Sequence, residues 1–294
     1  MIRIRKGMRA LNLKDYPRKA YSINQFTQPD CYELEGEEFY FVMDDGYDYE
    51  LRITGKNSCT WNIAGEAPKS EEYQCLKSDD TTYILRYALG GVEPRAGHTY
   101  VIDLEQRLVT MLTTKMGVNP KHPYLVYSHY DFGAIRIEGE ELPFKRHGFT
   151  SDLIGTQVEW HWRSNMFTQH SYYCTNFYRI KLPEQGEANR SLASTIRNTP
   201  SSDEPAYYVK IKEKMYLFVL TESNGERIDG DEGRHRSNNM AFLQNYDRMY
   251  HVGRTFGTSL IDGKFSPTNI MFGAFGNPLE LDPGFLNAPN PYIV

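Results

Sequence analysis

Leu34-Glu35-Gly36-Glu37-Glu38-Phe39-Tyr40-Phe41, a turn at Asp44-Asp45-Gly46, and Tyr47-Asp48-Tyr49-Glu50-Leu51-Arg52-Ile53 set apolar residues alternating with polar ones on both sides of a turn. Residues two apart share one face of a strand, and Asp-Gly accepts the positive φ of a tight turn, so the stretch reads as a β-hairpin. The pattern returns as Leu153-Ile154-Gly155-Thr156-Gln157-Val158-Glu159-Trp160-His161-Trp162, a polar turn, and Phe167 to Tyr178. Three more echoes follow in order. Tyr83-Ile84-Leu85-Arg86-Tyr87 matches Met215 to Leu220, and the charged tip from Val101 to Val109 matches Phe242 to Tyr250. Phe132-Gly133-Ala134 matches Phe272-Gly273-Ala274. Matches that keep their order while their offsets drift describe a duplicated unit with loop insertions, and two copies are too few for a solenoid.

Short alternating runs bounded by Gly, Asp, Asn and Pro are the pattern of an all-β chain. A unit of this length, closing after about eight strands, is a barrel wide enough for one ligand. The expected organisation is an arm over 1–31, a first barrel over 32–148, a second over 149–278 and a tail over 279–294. Gly117–Pro123 reads as a loop and Gly139–Gly148 as the link between units. Ser223-Asn224-Gly225 reads as a hairpin tip. Glu184–Glu204, with one helical turn near Leu192, and the charged run Gly225–Asn239 read as loop insertions.

Composition narrows the function. The 294 residues are 40% hydrophobic and 24% charged, as in a soluble globular protein. No apolar run approaches the roughly 18 residues of a membrane span. Met1-Ile2-Arg3-Ile4-Arg5-Lys6-Gly7 lacks the apolar stretch of a secretory leader, so a cytoplasmic protein is expected. A net charge of −5 argues against nucleic acid as a partner. Cys31, Cys59, Cys75 and Cys174 show no metal or redox spacing, and no histidine pair has a ligand spacing, so no metal is expected. Phosphate-binding glycine motifs are absent, so no nucleotide cofactor is expected either. The outlier is the aromatic content, 14% of the chain with 22 tyrosines.

Three segments carry a family resemblance: Leu153 to Trp162, Gln169-His170-Ser171-Tyr172, and Met215-Tyr216-Leu217-Phe218-Val219-Leu220-Thr221-Glu222. In this order they resemble the C-terminal half of the MoaF-like family (molybdenum cofactor biosynthesis protein F). Gly36, Asp44-Asp45-Gly46 and Trp61 in the first unit resemble its N-terminal half. The resemblance implies two tandem calycin-like (lipocalin-like) antiparallel barrels. The family name implies an accessory role in molybdenum cofactor metabolism.

Period-two reading places three inward rows in the second barrel: Val158-Trp160-Trp162, then Thr168-His170-Tyr172-Cys174-Asn176-Tyr178, then Tyr216-Phe218-Leu220-Glu222. The first unit's rows read as more aliphatic. An aromatic concavity with a few polar tips suits a small molecule, so the largest cavity is expected at Trp160, His170, Tyr172 and Tyr216. Candidate ligand contacts are Trp160, Trp162, Tyr172, Tyr178, Tyr216, Phe218 and, from the first unit, Arg86 as an anion anchor. Each aromatic also fits simple barrel packing, and Arg86 equally fits a surface position. His170 and Glu222 are the candidate proton-transfer pair, against a core histidine and a solvated rim carboxylate. The leading expectation is a binding protein for an aromatic or anionic ligand, with a homodimer compatible. The rival is a cofactor-free lyase, decarboxylase or cyclase.

Overall fold

The structure, a computed structural model, describes residues 25–91, 95–117, 125–163, 166–181, 201–222, 234–261 and 264–279. Most of the expected arm, the tail beyond Leu279, the helical turn near Leu192, the Gly117–Pro123 loop after Gly117 and the Ser223 tip lie outside these residues. Among the described residues there is no helix, and therefore none long and apolar enough to cross a membrane.

Eight strands form the first barrel: β1 (Glu38–Met43), β2 (Asp48–Gly55), β3 (Ser58–Ile63), β4 (Lys69–Lys77), β5 (Thr82–Ala88), β6 (Ala96–Asp103), β7 (Leu108–Met116) and β8 (Val126–Ile135). Each pairs antiparallel with the next, and β8 closes on β1 through Phe41↔Ile135. After the link comes the short β9 (Gly148–Phe149), then β10 (Thr156–Arg163), β11 (Met166–Tyr172), β12 (Phe177–Lys181) and β13 (Ser201–Lys212). The chain continues as β14 (Met215–Glu222), β15 (Arg234–Asn245), β16 (Tyr250–Ile261) and β17 (Lys264–Leu279). Strands β10 to β17 close a second eight-stranded barrel, through β12 on β13 and β17 on β10, while β9 lies alongside β13. The protein is thus two tandem calycin-like antiparallel barrels. Two boundaries differ from the sequence reading. Ser201 to Glu204, read as loop, belong to β13 and pair with β12. Arg234 to Asn239, read as loop, belong to β15, where Asn238 and Asn239 are buried.

Backbone detail supports the duplication. Before each barrel, Leu-x-Gly makes the same turn: Gly36 and Gly155 both have φ near +90° and donate to Ile53 and Tyr172. At the β6–β7 and β15–β16 tips, Asp103 Oδ1 and Asn245 Oδ1 each accept two backbone N–H groups. The positive φ then falls on Arg107 and Met249. Register from these anchors makes Val109 the counterpart of His251, Leu51 of His170 and Ile102 of Gln244. The Phe-Gly-Ala echo is one residue out of this register. Gly133 pairs Val109, whereas it is Ala274 that pairs His251. Phe132 therefore packs outside its barrel and Phe272 inside.

The barrels pack wall to wall. Leu76, Ile84, Val101 and Leu112 of the first meet Val209, Leu217, Leu243 and Val252 of the second in one buried layer. Fully burying such a side chain contributes roughly 1.5–3 kcal/mol. Arg254 of β16 lies wholly buried in the seam. It donates to Thr99 Oγ1 (2.9 Å), Thr114 Oγ1 (2.9 Å) and the carbonyl of Asn239 (2.7 Å), and burial pushes its guanidinium down to about 9. This seam explains β6, which is buried on both faces and shows no polar alternation.

Candidate ligand-binding site in the second barrel

Alternation along β10, β11 and β14 turns Val158, Trp160, Trp162, Thr168, His170, Tyr172, Tyr216, Phe218 and Leu220 inward, as the sequence rows predict. Strand β12 adds Tyr178, β13 adds Tyr208, and β15 to β17 add Phe242, Gln244, His251 and Phe272. Two predicted row members drop out. Strand β11 ends at Tyr172, so Cys174 and Asn176 sit in the turn before β12 and are not buried.

Two polar groupings lie within this aromatic interior. In one, Trp160 Nε1 (3.1 Å) and Gln244 Nε2 (2.8 Å) both donate to the Tyr172 hydroxyl, and Tyr246 donates to Gln244 Oε1 (3.3 Å). In the other, Trp162 Nε1 donates to Thr168 Oγ1 (2.9 Å), which lies 3.0 Å from His170 Nε2. His170 Nδ1 has no partner. Near both lies His251, fully buried with neither ring nitrogen hydrogen-bonded. Its ring sits among Trp160 (4.3 Å between centroids), Phe242 (4.7 Å) and Trp162 (4.9 Å). Gly276 on β17 lets Trp160 come close, since a Cβ there would stand 2.7 Å from its ring. Burial lowers His170 to about 3, and burial together with His170 holds His251 well below the ordinary imidazole range. Both are neutral at physiological pH. A neutral imidazole carries one N–H and one lone pair, so three nitrogens here retain unused hydrogen-bonding capacity.

The remaining predicted residues lie apart. Tyr216 is inward but reaches to Asp152 Oδ2 (3.3 Å) at one end of the barrel. Glu222 stands at the end of β14, half-buried, accepting from Asn238 Nδ2 (2.8 Å). Arg86 points neither into the first barrel nor into the second. It shares the outer face of β5 with Ile84 and spans the seam, donating to Gln74 Oε1 and to the carbonyl of Asn269 (3.2 Å). A cleft of about 420 Å³ at Phe149, Thr150, Ser151, Thr175, Asn176, Tyr207 and Tyr208 touches none of Trp160, His170, Tyr172 and Tyr216.

Sequence reasoning missed His251 and Gln244. It also missed that the first barrel is aromatic inside. There Tyr87, His98 and Tyr100 bond one another, with Tyr87 Oη 2.9 Å from Tyr100 Oη and 3.1 Å from His98 Nδ1, and Trp61 lies edge-on to His98. Their counterparts in the second barrel are Leu220, Met240 and Phe242, so the two interiors place their polar groups at different positions of one scaffold. Among the described residues no cluster of His, Cys, Asp and Glu could hold a metal ion. Compared with known protein families and with curated proteins, the chain matches none. Its class rests on its own geometry, a duplicated all-β protein with two closed, aromatic-filled barrels.

Proposed function

We propose that the protein binds a small planar aromatic molecule inside the second barrel, hydrogen-bonded by His251 and His170. The observation that carries the reading is His251, with two unpartnered ring nitrogens among three aromatic rings. Rings of this kind stack on a flat π-system, and buried polar atoms gain most from a ligand that supplies their missing bonds. Of the two ligand types expected from sequence, the aromatic one is favoured. Both histidines are neutral, and Arg86 lies in the seam, away from the second barrel's interior.

The resemblance to MoaF-like proteins and the calycin-like architecture are in keeping with a carrier or sensor of a small molecule. A role in molybdenum cofactor metabolism has only that resemblance behind it. The lyase reading has less support than binding. Proton transfer is most efficient when a group's pKa lies near the working pH, and His170 is far below it.

Tryptophan emission tests the proposal, because Trp160 and Trp162 belong to the site and Trp61 to the other barrel. Titration with a panel of phenols and indoles should give saturable quenching with at least one of them. In His251→Phe the affinity should fall by about tenfold or more, the loss expected for one or two hydrogen bonds. No saturable change with any member, or equal affinity in His251→Phe, would contradict the reading.

A further inference from the structure

A second site lies on the outer wall. Phe149 and Tyr207 are 58% and 46% exposed, their rings 6.0 Å apart. They are held in place from the first barrel. Tyr130 lies edge-on to Phe149 (5.3 Å) and to Tyr207 (5.6 Å), and Phe132 lies edge-on to Phe149 (5.5 Å). Rings fixed before a ligand arrives lose little freedom on binding. Beside them the cleft of about 420 Å³ is walled by Thr150, Ser151, Thr175 and Asn176. That size is within the range of small-ligand sites.

The lining chemistry selects the ligand class. It offers three rings (Phe149, Tyr207 and Tyr208), five hydroxyls, of which that of Tyr208 already donates to the Phe177 carbonyl, one carboxamide, and no charged side chain. Nearby charges are already matched: Asp152 accepts from Lys210 (2.7 Å), and Arg179 grips Asp203 through two bonds of 2.8 and 2.9 Å. A phosphate, carboxylate or amine would therefore meet no counter-charge. Thr150 Oγ1 accepts the backbone N–H of Asp152 (3.1 Å), which fixes the hydroxyl at the edge of the cleft. An aromatic face bordered by hydroxyls and an amide matches a molecule that is apolar on one face and hydroxylated at its edge.

We propose that this cleft binds a neutral pyranose sugar. The sugar's C–H face stacks on Phe149 and Tyr207, and its hydroxyls bond to Thr150, Ser151, Thr175 and Asn176. The cleft shares Tyr208 with the barrel interior, but none of Trp160, Trp162, His170 and His251 lines it, so the proposal stands whether or not His251 binds a ligand.

Saturation-transfer NMR and calorimetric titration with glucose, galactose, mannose and their disaccharides provide the test, with glucuronate and p-cresol in parallel arms. At least one neutral sugar should bind saturably, with the strongest transfer to its ring C–H protons. Tyr207→Ala should weaken that binding about tenfold, Tyr207→Phe should retain it, and Asn176→Ala should weaken it. Circular dichroism of each variant checks that the fold is kept. Absence of saturable binding by any neutral sugar would overturn the proposal, as would unchanged binding in Tyr207→Ala. Binding of p-cresol alone would make the cleft an aromatic-ligand site, and tighter binding of glucuronate would mark an anion site. Either result would overturn it too.

Discussion

His251 holds two buried nitrogens without partners, and each such atom costs about 1–3 kcal/mol relative to one that is hydrogen-bonded. The duplication provides a control, because the same position in the first barrel is the aliphatic Val109. His251→Phe should therefore raise the stability of the ligand-free protein by about 1–3 kcal/mol, measured by urea unfolding. A loss of stability in that variant would mean that the ring nitrogens are already satisfied in the free protein. His170 was legible in the sequence, because Thr168, His170 and Tyr172 alternate cleanly between polar neighbours. His251 was not. The sequence echo sets Val109 against Tyr250, one residue short of His251, and a slip of one residue exchanges the two faces of a strand.

Asn245 shows what sets the register of a strand pair. Its side chain accepts the N–H groups of Asp247 and Arg248 (3.1 and 3.0 Å) and donates to the carbonyl of Ser78 in the first barrel (3.4 Å). Asp103 does the same work at the equivalent tip. Burial pushes its carboxyl up, but the nearby His147 ring (3.8 Å) and hydrogen bonds from Gln106 outweigh this and keep it below the usual range. Asn245→Ala should destabilise the protein by about 1–2 kcal/mol in chemical denaturation, from two turn bonds and one seam bond lost. A change within error would show that the tip holds its shape through backbone geometry alone. Strands with one polar face, such as β1, β2, β10 and β11, were legible from alternation. Strand β6 was hidden, because one of its faces lines the barrel and the other the seam, and so were the buried Asn238 and Asn239 of β15. The polar Asn239 is at home there, accepting from Arg254 and Ser128.

Among the described residues, three of the buried histidines are held neutral: His98 in the first barrel, and His170 and His251 in the second. Burial, reinforced for His98 by Lys115 and Lys69, lowers His98 and His170 to about 3, and His251 lies well below its ordinary value. Unfolded, each would take up a proton near pH 6.5. The folded state therefore binds fewer protons between that pH and about 3, and stability falls as pH falls through this window. The slope is up to about 1.4 kcal/mol per pH unit for each histidine. Above pH 6.5 these groups contribute no pH dependence. Urea midpoints should be flat from pH 7 to 8 and drop from about 6.5 downward, well above the range where carboxylates titrate. A profile flat down to pH 4.5 would show that the histidines are solvated.

The same three rings give the most direct test of ligand binding in the second barrel. Long-range proton–nitrogen NMR reads the tautomer and hydrogen bonding of each imidazole. With the ligand that quenches tryptophan emission, the His251 and His170 nitrogens should move to hydrogen-bonded shifts, while His98, bonded to Tyr87 and Tyr100, should stay fixed. Unmoved second-barrel histidines at saturation, or an equal response from His98, would contradict the account.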